Sequence, residues 1–292
     1  MSVFTGSGVA IITPFDENDN VNFEEYAKLI EFQIENKTDA IITCGTTGEP
    51  STMTSEEKRN VIDFTVKTVN GRVPVIAGTG SNCTKTVIED SIFAKNAGAD
   101  ALLIVTPYYN KCTQQGLIEH FNAIADAVDL PIIVYSVASR TGVNILPQTV
   151  KELSKHKNIV AIKEASGDIN QIAKIAALCP DLDIYSGNDD HIVPVLSLGG
   201  KGVISVAANV IPNQIHDIVA KFKEGNFKDS LDIQLKYLDL ISLLFCEVNP
   251  IPVKAAATLM GFDFDNVRLP LTKLSSNNLA KLSEEMKKLN LV

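Results

Sequence analysis

Apolar residues along the chain fall into two recurring patterns. Short runs rich in Val, Ile and Ala appear as "VAIITPF" from 9, "AIITCG" from 40, "PVIAGTG" from 74 and "ALLIVTPYY" from 101, then as "PIIVYSV" from 131, "IVAIKEA" from 159, "DIYSGND" from 183 and "GVISVAAN" from 202. These runs are nearly continuous rather than alternating, so each predicts a strand covered on both faces. Most of the gaps between them carry apolar positions at helical spacing, as in "FEEYAKLIEFQIEN", "SEEKRNVIDFTVKTVNG" and "GLIEHFNAIADAV". Thr54, followed three residues later by Glu57, is a capping-box start for the second of these, and Gly98 is the residue type that ends the third strand-to-helix unit.

Buried strands alternating with helices predict a parallel sheet with helices on its faces. Eight such units favour an α/β fold of the (β/α)8 TIM-barrel type over an open doubly wound sheet, which is the alternative. From about residue 225 the pattern changes. "SLDIQLKYLDLISLLFCEVNPIPVKAAATLMG" and "SSNNLAKLSEEMKKLN" are helical, with no strand between them. We therefore expect a barrel over 1–224 and an additional C-terminal helical segment over 225–292, packed on the barrel or at a subunit contact.

The chain has 292 residues, of which 45% are apolar and 21% charged, enough for one large packed core. Its net charge of −9 and the lack of a basic run argue against nucleic acid as a partner. The start, "MSVFTGSGVAIITPF", has no basic leader region, and no apolar stretch reaches the roughly 18 residues of a membrane span. No membrane partner and a cytoplasmic location are expected. Cys44, Cys83, Cys112, Cys179 and Cys246 are too scattered for a zinc or redox centre and read as buried thiols. The four histidines do not pair at ligand spacing, which disfavours metal-assisted aldol chemistry; no metal and no cofactor are expected.

In a barrel the chemistry sits at the C-terminal ends of the strands. The second strand ends in "GTTGE", Gly45 to Glu49, whose small side chains and accessible amides suit a carboxylate or phosphate. A tight β/α turn explains the same residues without any ligand. "GTGSNCTKT" from Gly78 only superficially suggests a nucleotide loop, since Thr84 and Cys83 stand where the two common fingerprints need glycine. The fourth strand ends with Tyr108 and Tyr109, and the fifth with Tyr135 and, five residues on, Arg140. Arg140 offers a planar fork for a carboxylate, or else a surface ion pair. On the sixth strand Lys163 and Glu164 point to opposite faces, so one of them faces the barrel interior. If that is Lys163, burial depresses its pKa and yields a neutral amine able to attack a carbonyl.

Taken in order, "GTTGE", "YYN", "YSVASRTG" and "IKE" on strands two, four, five and six closely resemble the dihydrodipicolinate synthase family of pyruvate-dependent class I aldolases, relatives of the N-acetylneuraminate lyases. The likeness covers nearly the whole chain. It implies that Lys163 forms a Schiff base with pyruvate, that Thr46 and Thr47 bind the pyruvate carboxylate and help relay protons, and that Tyr135 is the general acid/base beside the lysine. It further implies that Arg140 holds the carboxylate of the second substrate, aspartate semialdehyde, and that Ile204 lies beside the pyruvate. Tyr109 would complete the relay in a neighbouring subunit, within a homo-oligomer, a tetramer built as a dimer of dimers. "SGNDD" and "GVISV" match backbone around the site.

The activity so implied is condensation to 4-hydroxy-tetrahydrodipicolinate, the first committed step towards diaminopimelate and lysine. The alternatives are a sibling pyruvate lyase acting on a keto-deoxy sugar acid and a non-catalytic barrel that binds small carboxylates. The sialic acid lyases generally read "GSTGE" and lack the arginine, so Thr46 and Arg140 favour the synthase. Ser136 and Ala138 depart from the Asn and Pro of many members. Where lysine-sensitive members bind the inhibitor, Asn82 is kept, but Ser55 and Lys58 replace histidines and Thr86 replaces a glutamate. Loss of that carboxylate, with a like charge at Lys58, predicts weak or no lysine inhibition.

Overall fold

The structure, a computed structural model, describes residues 2–292. Eight parallel strands close on themselves in chain order: β1 Gly6–Ala10, β2 Ala40–Thr43, β3 Val75–Gly78, β4 Ala101–Val105, β5 Ile132–Ser136, β6 Ile159–Glu164, β7 Asp183–Ser186 and β8 Gly202–Ser205. Around them run α1 Phe23–Glu35, α2 Ser55–Val69, α3 Thr84–Ala97, α4 Gln114–Ala127, the single turn α5 Ala138–Thr141, α6 Pro147–Leu153, α7 Ile169–Leu178, α8 Ile192–Ser197 and α9 Pro212–Lys223. The tail adds α10 Phe227–Lys236, α11 Leu238–Leu243, α12 Ile251–Leu259 and α13 Ser276–Lys288. This is a TIM barrel with additional C-terminal helices.

The first strand begins in "GSG", three residues before the apolar run that predicts it. Glycine carries little strand signal, yet the barrel needs it here. Gly6 pairs with Gly202 across the closing seam, and a Cβ on Gly202 would stand 1.9 Å from the Gly6 carbonyl oxygen. The predicted helix signals are visible as contacts. The Thr54 hydroxyl accepts from the Glu57 amide at 3.2 Å, while the Thr54 amide donates to the Glu57 carboxylate at 2.8 Å. Gly98 caps α3 in a left-handed conformation.

Two apolar layers result. Inside the barrel, Ala10, Ile42, Ile76, Leu103, Ile133, Tyr135, Ala161, Tyr185 and Ile204 form one cluster. The much larger outer layer lies between strands and helices. Strand parity sorts residues between the two, and Lys163 shares the inward parity of Ala161. Glu164 points outward but is also buried, accepting from Gln171 at 2.8 Å and from the Ser166 hydroxyl at 2.8 Å.

One expectation is corrected. Only Cys44 and Cys179 are buried; Cys112 is half-buried, and Cys83 and Cys246 are exposed because they fall at a helix start and in a tail loop. Among the described residues, no helix is long and apolar enough to cross a membrane.

Candidate active site

The turn after β2 is the most constrained part of the site. Cys44 and Glu49 both adopt left-handed backbone, with φ of 53° and 58°, on either side of the 3-10 turn Thr46–Gly48. Such conformations persist only where the surroundings hold them. Here the Thr13 hydroxyl donates to the Gly48 carbonyl at 2.9 Å. The Glu49 carboxylate, almost fully buried, accepts from Lys254 of α12 at 2.8 Å and from the Arg268 amide at 3.3 Å. Lys254 and Arg268 both stand over the Phe15 ring, 4.5 and 4.2 Å from its centroid. Helix α12 and the loop after it therefore clamp the turn that carries Thr46 and Thr47.

Lys163 sits opposite Tyr135 in the β5–β6 register, so the two side chains point the same way. The ammonium lies 4.4 Å from the centroid of the Tyr135 ring, and only 5% of Lys163 is exposed. Burial pulls its pKa down to about 8; the Asp189 carboxylate opposes the drop and the Arg140 guanidinium adds to it. Burial pushes the Tyr135 phenol above its ordinary value, with Arg140 and the Thr46 hydroxyl pulling the other way. A tyrosine held in its protonated form thus faces a lysine poised to lose its proton.

Arg140 stands on α5, directly after β5, and donates to the Asn249 carbonyl at 3.2 Å. The Asn249 side-chain amide donates to the Thr47 hydroxyl at 3.0 Å. Asp189, just past β7, is buried; one carboxylate oxygen accepts from the Val206 and Ala207 amides at 3.0 and 2.9 Å, and burial raises its pKa.

These residues surround a cavity of ≈ 390 Å³ lined by Thr47, Tyr135, Arg140, Lys163, Asp189 and Asn249 among others. A neighbouring cavity of ≈ 330 Å³ is lined by Cys44, Thr46, Lys58, Tyr108, Tyr135 and Arg140 among others. Tyr135 and Arg140 stand on the walls of both. Two positions lie apart. Ile204 packs in the barrel-interior cluster with Tyr135 but lines neither cavity. Tyr109 is 90% exposed, has left-handed backbone at φ 72°, and also lines neither. Of the positions named for lysine binding, Lys58 lines the smaller cavity, where Asp90 pairs its ammonium at 3.2 Å. Ser55, Asn82 and Thr86 do not line it.

Sequence reasoning passed over Asn249 and Lys254 entirely and used Asp189 only as part of "SGNDD". Asp189 could have been found by inspecting the end of the seventh strand as the others were. Asn249 and Lys254 have no comparable signal, since they belong to the tail and to no strand end. Chemically, the arrangement offers an amine whose pKa of about 8 leaves a neutral minority near neutrality, a buried phenol beside it, and an arginine and hydroxyls for carboxylates.

The model of the dihydrodipicolinate synthetase family matches residues 3–289. The chain is 61% identical over 278 residues, 95% of its own length and 94% of the relative's, to the 4-hydroxy-tetrahydrodipicolinate synthase of Caldicellulosiruptor saccharolyticus. It is 59% identical over 294 residues, the full length of both chains, to the enzyme of the same name from Lachnoclostridium phytofermentans. Among solved structures, the dihydrodipicolinate synthase of Thermotoga maritima superposes with a TM-score of 0.98 at 42% identity, covering 100% of each chain.

Proposed function

The chain belongs to the dihydrodipicolinate synthetase family and is an enzyme of the lyase class; from that premise we propose how its own residues perform the pyruvate condensation step of lysine and diaminopimelate synthesis. The neutral amine of Lys163 attacks the pyruvate carbonyl carbon; the carbonyl oxygen takes one proton from the nitrogen and one from the Tyr135 phenol and leaves as water, and an iminium forms. The iminium draws electrons from the methyl group, a proton departs through Tyr135 and Thr46, and an enamine results. The enamine carbon bonds to the aldehyde carbon of aspartate semialdehyde, whose oxygen takes up a proton. The second substrate's amine then displaces the Lys163 nitrogen, which closes the ring and frees the enzyme.

In this reading Thr46 and Thr47 receive the pyruvate carboxylate, Arg140 holds the carboxylate of aspartate semialdehyde, and Ile204 limits the barrel floor beneath. The observation that carries the proposal is Lys163: nearly buried, against the Tyr135 face, with a pKa near 8. Borohydride trapping with labelled pyruvate tests it. The label is expected on Lys163 alone, and a label elsewhere, or none, refutes the mechanism. Turnover of pyruvate with aspartate semialdehyde, and no cleavage of keto-deoxy sugar acids, separates the synthase from a sibling lyase.

We further propose a homo-oligomer, a tetramer of two dimers, in which Tyr109 enters a neighbour's site. Its exposure and its left-handed backbone suit a side chain held out towards another subunit. Five free cysteines suit a reducing cytoplasm. Weak or absent inhibition by lysine is proposed from Thr86, which offers the inhibitor's amine no carboxylate. The repulsion argument at Lys58 is weaker than its charge suggests, because Asp90 already pairs with it.

A further inference from the structure

A threonine hydroxyl has one hydrogen to donate and two lone pairs to accept with. The Asn249 Nδ2 group can only donate, and it does so to the Thr47 hydroxyl at 3.0 Å. One lone pair of Thr47 is therefore occupied from the tail side, and the hydroxyl hydrogen is left for another partner. Thr47 lines the larger cavity, so that hydrogen is available to a group bound there. A hydroxyl fixed in this sense presents a hydrogen, which is what a carboxylate requires.

The same residue acts on the other side of the cavity. The main-chain carbonyl of Asn249 accepts from one guanidinium nitrogen of Arg140 at 3.2 Å, a contact that a substitution of the side chain leaves in place. That contact fixes the plane of the fork and leaves its remaining donors for a ligand. Asn249 is buried at 6% exposure, so its side chain is held in place beside Thr47. Five residues on, Lys254 grips Glu49, two residues beyond Thr47, so the tail is anchored to the turn at both ends.

We propose that the Asn249 side chain is a positioning group for pyruvate: it orients the Thr47 hydroxyl as a donor towards the pyruvate carboxylate, while the main chain at the same position steadies the Arg140 fork. The inference rests on the pyruvate reading above. The role is pre-organisation: donors already aimed need no reorientation when the substrate arrives.

The test compares the full-length wild type with Asn249→Asp. Aspartate has nearly the same size but, ionised, can only accept, so Thr47 must turn its hydrogen away from the cavity and a negative charge faces the pyruvate carboxylate. The KM for pyruvate is expected to rise roughly tenfold or more, the usual scale for losing a hydrogen bond to a charged group. The pyruvate concentration giving half-maximal borohydride trapping should rise in parallel, while kcat falls less and the melting temperature stays near that of the wild type. A folded Asn249→Asp protein with unchanged pyruvate dependence overturns the inference while leaving the Schiff-base reading intact. A wild-type protein that pyruvate does not label sinks both. If Asn249→Asp does not fold, Asn249→Ala carries the test, since it removes the donor without adding charge; its pyruvate KM is expected to rise roughly threefold to tenfold, and a wild-type value overturns the proposal.

Discussion

Replacing Lys163 with methionine should abolish turnover and at the same time stabilise the protein, by an amount that depends on pH in a defined way. In the folded chain burial brings the amine's pKa from its ordinary 10.5 to about 8. At about 1.4 kcal/mol per pH unit, holding the cation inside the barrel costs about 3 kcal/mol. The Tyr135 face, 4.4 Å away, belongs to the surroundings that set this net value. Methionine is unbranched, apolar and of similar length, so it fills the space without the charge. Below pH 8 both folded and unfolded lysines carry the proton and the wild type bears the whole cost. Between about 8 and 10.5 the unfolded chain binds more protons than the folded one, so wild-type stability rises with pH and the gap closes. The assay is thermal melting of both proteins at one protein concentration across pH 6 to 10. Lys163→Met should melt roughly 6 °C higher at pH 7, given ~2 °C per kcal/mol in a chain of this size, and lose that advantage towards pH 10. A variant less stable than the wild type at pH 7, or a gap that does not change with pH, would show that Lys163 is not a destabilised buried cation.

Two further outcomes follow from the same contacts. Lys254→Met leaves the buried Glu49 carboxylate without its partner and should lower stability by roughly 3–5 kcal/mol, whereas joining it to Glu49→Gln should recover much of the loss; equal denaturant midpoints for the wild type and Lys254→Met would contradict the ion-pair account. In a steady-state assay free lysine should leave turnover nearly unchanged, and half-inhibition well below millimolar concentration would overturn the argument from Thr86.

The alternation of buried runs and amphipathic segments was enough to favour the barrel over an open sheet, because a strand covered on both faces and a helix covered on one have different periods and eight such units follow one another. The same logic, with the rule that barrel chemistry lies at strand ends, picked out Thr46, Thr47, Tyr108, Tyr135, Arg140 and Lys163, which line one or both of the two adjoining cavities, and Tyr109, which lines neither. It did not reach the start of β1, where glycines chosen for a close backbone approach carry no apolar signal.

What the sequence determined by itself was local: which segments are strands, which are helices, and which reactive side chains stand at strand ends. Whether Lys163 or Glu164 faces inward could not be read from it, because alternation fixes the relative but not the absolute direction of neighbouring side chains. Closure of the barrel decided that, and the β5–β6 register then set Tyr135 against the amine. The hold of Asn249 on Thr47 and of Lys254 on Glu49 spans 202 and 205 residues of chain. No local pattern encodes such contacts, since they exist only once the tail has packed back over the first strands of a closed barrel.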